Sequence, residues 1–164
     1  MDADDISQII FLLILLALSA FFSSSETALT TVNKIRMRTL AEAGNTKAKK
    51  VLKVTENSPK MLSAILIGNN IVNLSASSLT TSLAIKLFGS VGAGVATGIL
   101  TFLILIFGEV SPKTLATINA DKISLSIAGF ISVLMVVLTP VIFIINKLSL
   151  GVIFLFGIRQ SDAK

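Results

Sequence analysis

Three short polar runs interrupt the long apolar stretches of this 164-residue chain, and each offers groups that hold hard cations. They are Ser23-Ser24-Ser25-Glu26, Gly68-Asn69-Asn70 with Asn73, and Gly108-Glu109-Val110-Ser111-Pro112-Lys113. Hydroxyls, amides, carbonyls and one carboxylate are oxygen donors, the ligands that Mg²⁺, Ca²⁺, Na⁺ and K⁺ accept. Cysteine and histidine are both absent. Thiolate and imidazole metal sites, disulfides and Ser–His catalysis are therefore excluded. With no pair of intramembrane aspartates either, the chain is not expected to be an enzyme.

Glu109 is the costliest of these residues. A carboxylate in mid-membrane costs about 2.5–3.5 kcal/mol on the insertion scale, and if ionised it needs a cation or a basic partner. Lys113 stands at i+4 on the same helical face, so an internal ion pair is one solution. A protonated Glu109 relaying protons is another, and a bound metal is a third. Pro112 has no N–H, so the carbonyl four residues back, that of Gly108, loses its helical donor. Asn69 and Asn73, also i and i+4, point the same way, while Asn70 points about 100° aside. Ser23, Ser24 and Ser25 offer hydroxyls, and Glu26 sits nearer the end of its helix. The Glu109 carboxylate, the Gly108 carbonyl, one or two of the Asn amides and one or two of the Ser oxygens supply up to six oxygens with one formal charge, a set suited to octahedral Mg²⁺ and equally to Na⁺.

Elements that bring the runs together can be read from composition and punctuation. Mean hydropathy is +0.89 and charged residues make up 14%, against about 25% in soluble domains. The chain is thus expected to be an all-α membrane protein forming one transport domain. Residues 1–31 form the first transmembrane helix, with Ile6–Phe22 as its apolar part. Lys34, Arg36, Arg38, Lys47, Lys49, Lys50, Lys53 and Lys60 follow, opposed only by Glu42 and Glu56. The positive-inside rule explains this run without a nucleic-acid partner and places the N-terminus outside.

Residues 32–58 read as a cytosolic helical pair, solvated or facing lipid headgroups. Ile35, Leu40 and Ala43 make a weak apolar face, Gly44 is a C′ residue, and Thr46 caps a second helix with Ala48, Val51, Leu52 and Thr55 on one side. Ser58 as N-cap and Pro59 as first helical residue start the second transmembrane helix, 59–88. Gly89-Ser90 turn the chain into the third, 91–118, whose Gly92, Gly94, Ala96 and Gly98 suit close packing or a dimer contact. Residues 123–158, broken by Pro140 and Lys147 and flanked by Lys122 and Arg159, read as a kinked juxtamembrane belt helix with a cytosolic C-terminus. At helical rise, Ser23 lies roughly 12 Å above Thr31, Asn69 roughly 15 Å above Pro59 and Glu109 roughly 13–14 Å above Ile118. All three runs thus share one depth.

At these residues the sequence resembles the transmembrane domain of the CorC/CNNM (cyclin M) family of Mg²⁺ transporters. The resemblance rests on Phe22–Leu29, Ala41-Glu42-Ala43-Gly44-Asn45, Leu66–Asn73 and Gly108–Lys113, four motifs in order over nearly the whole chain. It implies a homodimer in a cell membrane, with three transmembrane helices, a cytosolic helical pair and a belt helix per subunit. It implies Mg²⁺ export driven by Na⁺ entry, with the ion on Ser23–Ser25, Asn69, Asn70, Asn73, Gly108 and Glu109. Members of the family continue into cytosolic CBS domains, and this chain stops where those would begin. The other readings are a Mg²⁺ channel with the same residues as a filter, or a membrane anchor and sensor whose Glu109–Lys113 pair is structural.

Overall fold

A computed structural model describes residues 2–157. The expected end of the belt helix, Ile158, and the flanking Arg159 lie outside them. Every regular element is helical. The elements are α1 (Ala3–Thr31), α2 (Lys34–Glu42), α3 (Thr46–Glu56), α4 (Ser58–Leu103), a π-helical segment (Ile104–Val110), α5 (Ser111–Ile118), α6 (Ala120–Val137) and α7 (Thr139–Leu155). Among the described residues three stretches are long and apolar enough to cross a membrane: Ala3–Thr31, Ser58–Ile118 and Ala120–Val137. The chain is an all-α membrane protein.

The Ser58–Ile118 stretch folds back on itself. Gly89 breaks it with φ 78° and ψ −176°, a combination open essentially to glycine alone. A Cβ on Gly92 would collide with Phe88 Cβ, so the turn consumes this second glycine too. The reversal shows in the packing. A straight helix would hold Gly68 and Gly108 roughly 60 Å apart. Yet the Phe22 ring lies against Gly68 and the Ser19 side chain against Gly108, on one turn of α1. The two arms therefore run antiparallel and flank α1. Gly94 and Gly98 have no neighbour within 4 Å of a built Cβ, so packing within the chain does not use the rest of that ladder.

The helix starts differ from the sequence reading. Asn33, Asn45 and Asn57 are the N-caps of α2, α3 and α4, and each accepts from the backbone N–H three residues on. Thr46 and Ser58 instead become first helical residues, and the Ser58 hydroxyl donates to the Thr55 carbonyl. Asn ranks at the top of N-cap residues because its short amide oxygen reaches that orphan donor. The α2 C-terminus is a Schellman motif. Gly44, at φ 98°, donates to Ala41 O, and Asn45 donates to Leu40 O.

The apolar face of α2 is also corrected. Met37 is fully buried and Leu40 and Ala41 pack beside it, whereas Ile35 and Ala43 are exposed. On α3 the expected Ala48, Val51 and Thr55 are buried, joined by Val54. This face docks on α6, so the pair is not solvated all round.

The last apolar stretch is two helices rather than one kinked rod. α6 starts at Ala120, three residues earlier than expected, and ends at Val137 with Leu138 as its cap, just before α7 opens with Thr139 and Pro140. Proline cannot donate the next ladder bond, so α6 stops there. Asp121 accepts from the Asn33 N–H at 2.9 Å and pairs with Arg36 at 3.4 Å, pinning α6 to the foot of α1. Farther along, Phe130 stacks edge-on against Phe21 of α1, and the Lys50 side chain of α3 lies over Gly129. α7 buries only Ile142 among its residues.

At the opposite end of α1, Asp2 and Asp5 form a capping box. Lys86, just before the Gly89 turn, pairs with Asp5 at 2.8 Å and reaches Asp2 at 3.8 Å. The acidic start of the chain is thus a clamp joining α1 to the first arm of α4.

Candidate metal centre

α1 supplies the first wall. Within its serine run the three hydroxyls are not equivalent. Ser24 donates to Ala20 O and Ser25 to Phe21 O, both at 2.7 Å, the usual back-bond of a membrane-helix serine. Ser23 Oγ has no partner, although the residue is only 1% exposed. One helical turn away, Ser19 is in the same state, with a buried and unpartnered hydroxyl. Sequence reasoning missed Ser19. Its signal was the i, i+4 spacing to Ser23, which puts both hydroxyls on one face.

The first arm of α4 supplies the second wall. Asn69 Oδ1 and Asn73 Oδ1 are both buried without a donor. Asn70 is exposed on another side of the helix and is not brought to the site. Gly68 is what lets this wall approach: a Cβ there would stand 2.7 Å from the Phe22 ring. Farther along the same helix, Thr80 Oγ1 is also buried and unpaired, extending the polar line toward the Gly89 turn.

The second arm supplies the charge. Here the helix is π-wound from Ile104 to Val110, so Ser111 donates to Ile106 O, five residues back. Such bulges concentrate at functional sites. The α-helical register assumed in the sequence argument for Pro112 is therefore corrected. Ser111 is committed to Ile106 and Pro112 has no N–H, so Phe107 O loses both its α- and its π-type donor. Gly108 O still lacks its α-type donor, as the sequence predicts. Two successive carbonyls, rather than one, are short of helical partners. Gly108 is buried, and a Cβ on it would meet Ser19 Oγ at 2.9 Å. Glu109 follows, half-buried, with its carboxylate 3.4 Å from Lys113 Nζ. The ion pair available from spacing alone is formed.

Ser19 and Phe22 touch Gly108 and Gly68 respectively, so the serine, asparagine and glutamate motifs meet at one level. Four neutral oxygens there, on Ser19, Ser23, Asn69 and Asn73, are buried with no protein partner. Leaving a buried polar group unpaired costs about 1–3 kcal/mol. A single carboxylate stands beside them. No group of three acidic side chains assembles among the described residues, and the Glu109 carboxylate is itself paired with Lys113. Such a set can replace part of the hydration shell of a hard cation.

Comparison with known proteins identifies the family of the chain. The sequence profile of the cyclin M transmembrane N-terminal domain matches residues 9–164. A UPF0053 protein of Haemophilus influenzae is 41% identical over the whole of this chain, which covers 39% of that protein. The UPF0053 inner membrane protein YfjD of Escherichia coli is 38% identical over 87% of the chain and 33% of its own length. A chloroplastic DUF21 domain-containing protein of Arabidopsis thaliana is 35% identical over 93% of the chain and 23% of its own length. The chain thus spans two fifths or less of these relatives.

Proposed function

Because the chain belongs to the cyclin M family and forms its multi-pass membrane domain, we propose that it carries Mg²⁺ across the membrane, outward and in exchange for Na⁺. In this reading the Ser23 hydroxyl, the Asn69 and Asn73 amides, the Gly108 carbonyl and the Glu109 carboxylate hold the ion, and Ser19 joins them. Asn70 drops out of the direct ligand set because it faces away, and Ser24 and Ser25 rank behind Ser23 because each hydroxyl is already oriented by a bond to its own helix. The observation that carries the reading is the group of four buried, unpartnered oxygens level with Glu109. The same oxygens suit Na⁺, which is what an exchanger using one site in turn requires. The α2–α3 pair faces the cytosol, the N-terminus lies outside, and the working unit is a homodimer.

Flux of Mg²⁺ into dye-loaded proteoliposomes tests this. Glu109→Gln and Asn69→Ala should each abolish most of the flux, and reversing the Na⁺ gradient should change its rate. Unchanged flux in both variants would overturn the site, and indifference to Na⁺ would overturn exchange. One further reading has an observation behind it. The Glu109–Lys113 contact at 3.4 Å fits a structural pair in a membrane anchor or sensor. In that case Mg²⁺ leaves thermal stability unmoved, whereas a ligand that prefers the folded state raises it.

A further inference from the structure

The basic run does more in three dimensions than orient the chain. Lys34 and Arg38 stand one turn apart on α2, and Lys49 and Lys53 one turn apart on α3. All four line a single groove of about 500 Å³ whose other walls include Leu52 and Thr55. One acid, Glu56, shares it. Among the described residues none of the four cations has a salt-bridge partner, and Glu56 has none either. Like charges one turn apart on a helix repel, and here two such pairs face each other. The opposite face of α3, with Ala48, Val51 and Val54, is buried, so these cations cannot relax inward.

The position of the groove selects the anion. Lys34 opens α2 three residues after the end of α1, and Glu56 closes α3 two residues before α4 begins. The groove therefore adjoins the points where one membrane-crossing stretch ends and the next begins. Ile35, next to Lys34, is 76% exposed, an apolar side chain left largely uncovered just past the end of α1. A juxtamembrane cluster of cations attracts anionic lipid, and pockets of this volume hold small organic ligands.

We propose that the α2–α3 groove binds the phosphate headgroup of an anionic phospholipid from the leaflet on that side. The inference rests on the membrane fold and is independent of the Mg²⁺ reading. Two variants with equal charge change test it. Lys49→Gln/Lys53→Gln removes groove cations, and Lys47→Gln/Lys60→Gln removes cations from the same basic run that do not line it. The full chain is reconstituted with phosphatidylcholine alone or with added phosphatidylglycerol. Retained lipid is then read by native mass spectrometry, and the unfolding midpoint is measured.

Phosphatidylglycerol should be retained selectively and raise the midpoint. The groove variant should lose that selectivity about tenfold or more, and the control should keep it. Equal loss in both variants means a diffuse surface charge and overturns the proposal, as does retention without lipid preference. Glycerol 3-phosphate or inorganic phosphate in neutral vesicles, stabilising the chain as well as the lipid does, would reassign the groove to a free anion and overturn the lipid assignment. Mg²⁺-dependent stabilisation, measured alongside, should be unchanged in both variants.

Discussion

Ser23→Ala and Ser25→Ala delete the same atom from positions two residues apart, and the structure expects opposite outcomes. Ser25 Oγ donates to Phe21 O at 2.7 Å. Its loss removes one ordinary bond, a cost of about 0.5–1.5 kcal/mol, and should leave cation binding intact. Ser23 Oγ is buried with no partner. In metal-free protein its removal relieves an unpaired polar group, so stability should rise by about 1–3 kcal/mol, less the small void left behind. With Mg²⁺ the sign reverses. A ligand contact to a charged group is worth about 1.5–3 kcal/mol, so affinity should fall about tenfold to hundredfold. At saturating Mg²⁺ the ligand-induced stabilisation should shrink by the same energy. Thermal unfolding of the solubilised protein in chelator and in Mg²⁺ measures both quantities. Should Ser23→Ala destabilise the metal-free protein and keep the full Mg²⁺ shift, the unpaired hydroxyl is not a ligand and the reasoning fails.

Further expectations follow from other contacts in the structure. Glu109→Gln should erase the Mg²⁺-induced rise in unfolding temperature. Lys113→Met should instead tighten Mg²⁺ binding in isothermal titration, because the ammonium 3.4 Å away competes for the carboxylate; weaker binding in that variant would favour the structural pair. Gly89→Ala should destabilise the fold by about 1–3 kcal/mol through its backbone alone, since nothing lies within 4 Å of a Cβ there. Gly94→Ala, in the helical arm that follows and also without neighbours, should instead stabilise by about 0.4–1 kcal/mol in the same unfolding assay, because its backbone is helical. Asp5→Asn breaks the 2.8 Å bond to Lys86, so amide exchange in the first turns of α1 should quicken while α5 is unaffected. Uniform quickening along the chain would mean that the clamp is not local.

The membrane class, the oxygen-only chemistry and the shared depth of the three motifs were legible in the residues themselves. Apolar run length reports a membrane segment, the absence of Cys and His removes soft ligands, and helical rise converts numbering into depth. The chain breaks at Gly44, Gly89 and Pro140 were readable too, because glycine and proline act on the backbone locally. Other features were not. Ser23, Ser24 and Ser25 look alike in sequence, and only a folded helix shows which hydroxyls bend back to their own carbonyls. Ser19 gains meaning from Gly108, a residue on another arm. The π-register around Pro112, the burial of Met37 in place of Ile35, and the Asp5–Lys86 clamp all depend on neighbours far away in the chain.

Local pattern therefore decided what kinds of groups enter the membrane and how deep each one goes. Tertiary packing decided which of those groups stay unpaired. Whether a buried oxygen between helices finds a donor depends on atoms of a neighbouring helix, and no single segment contains both.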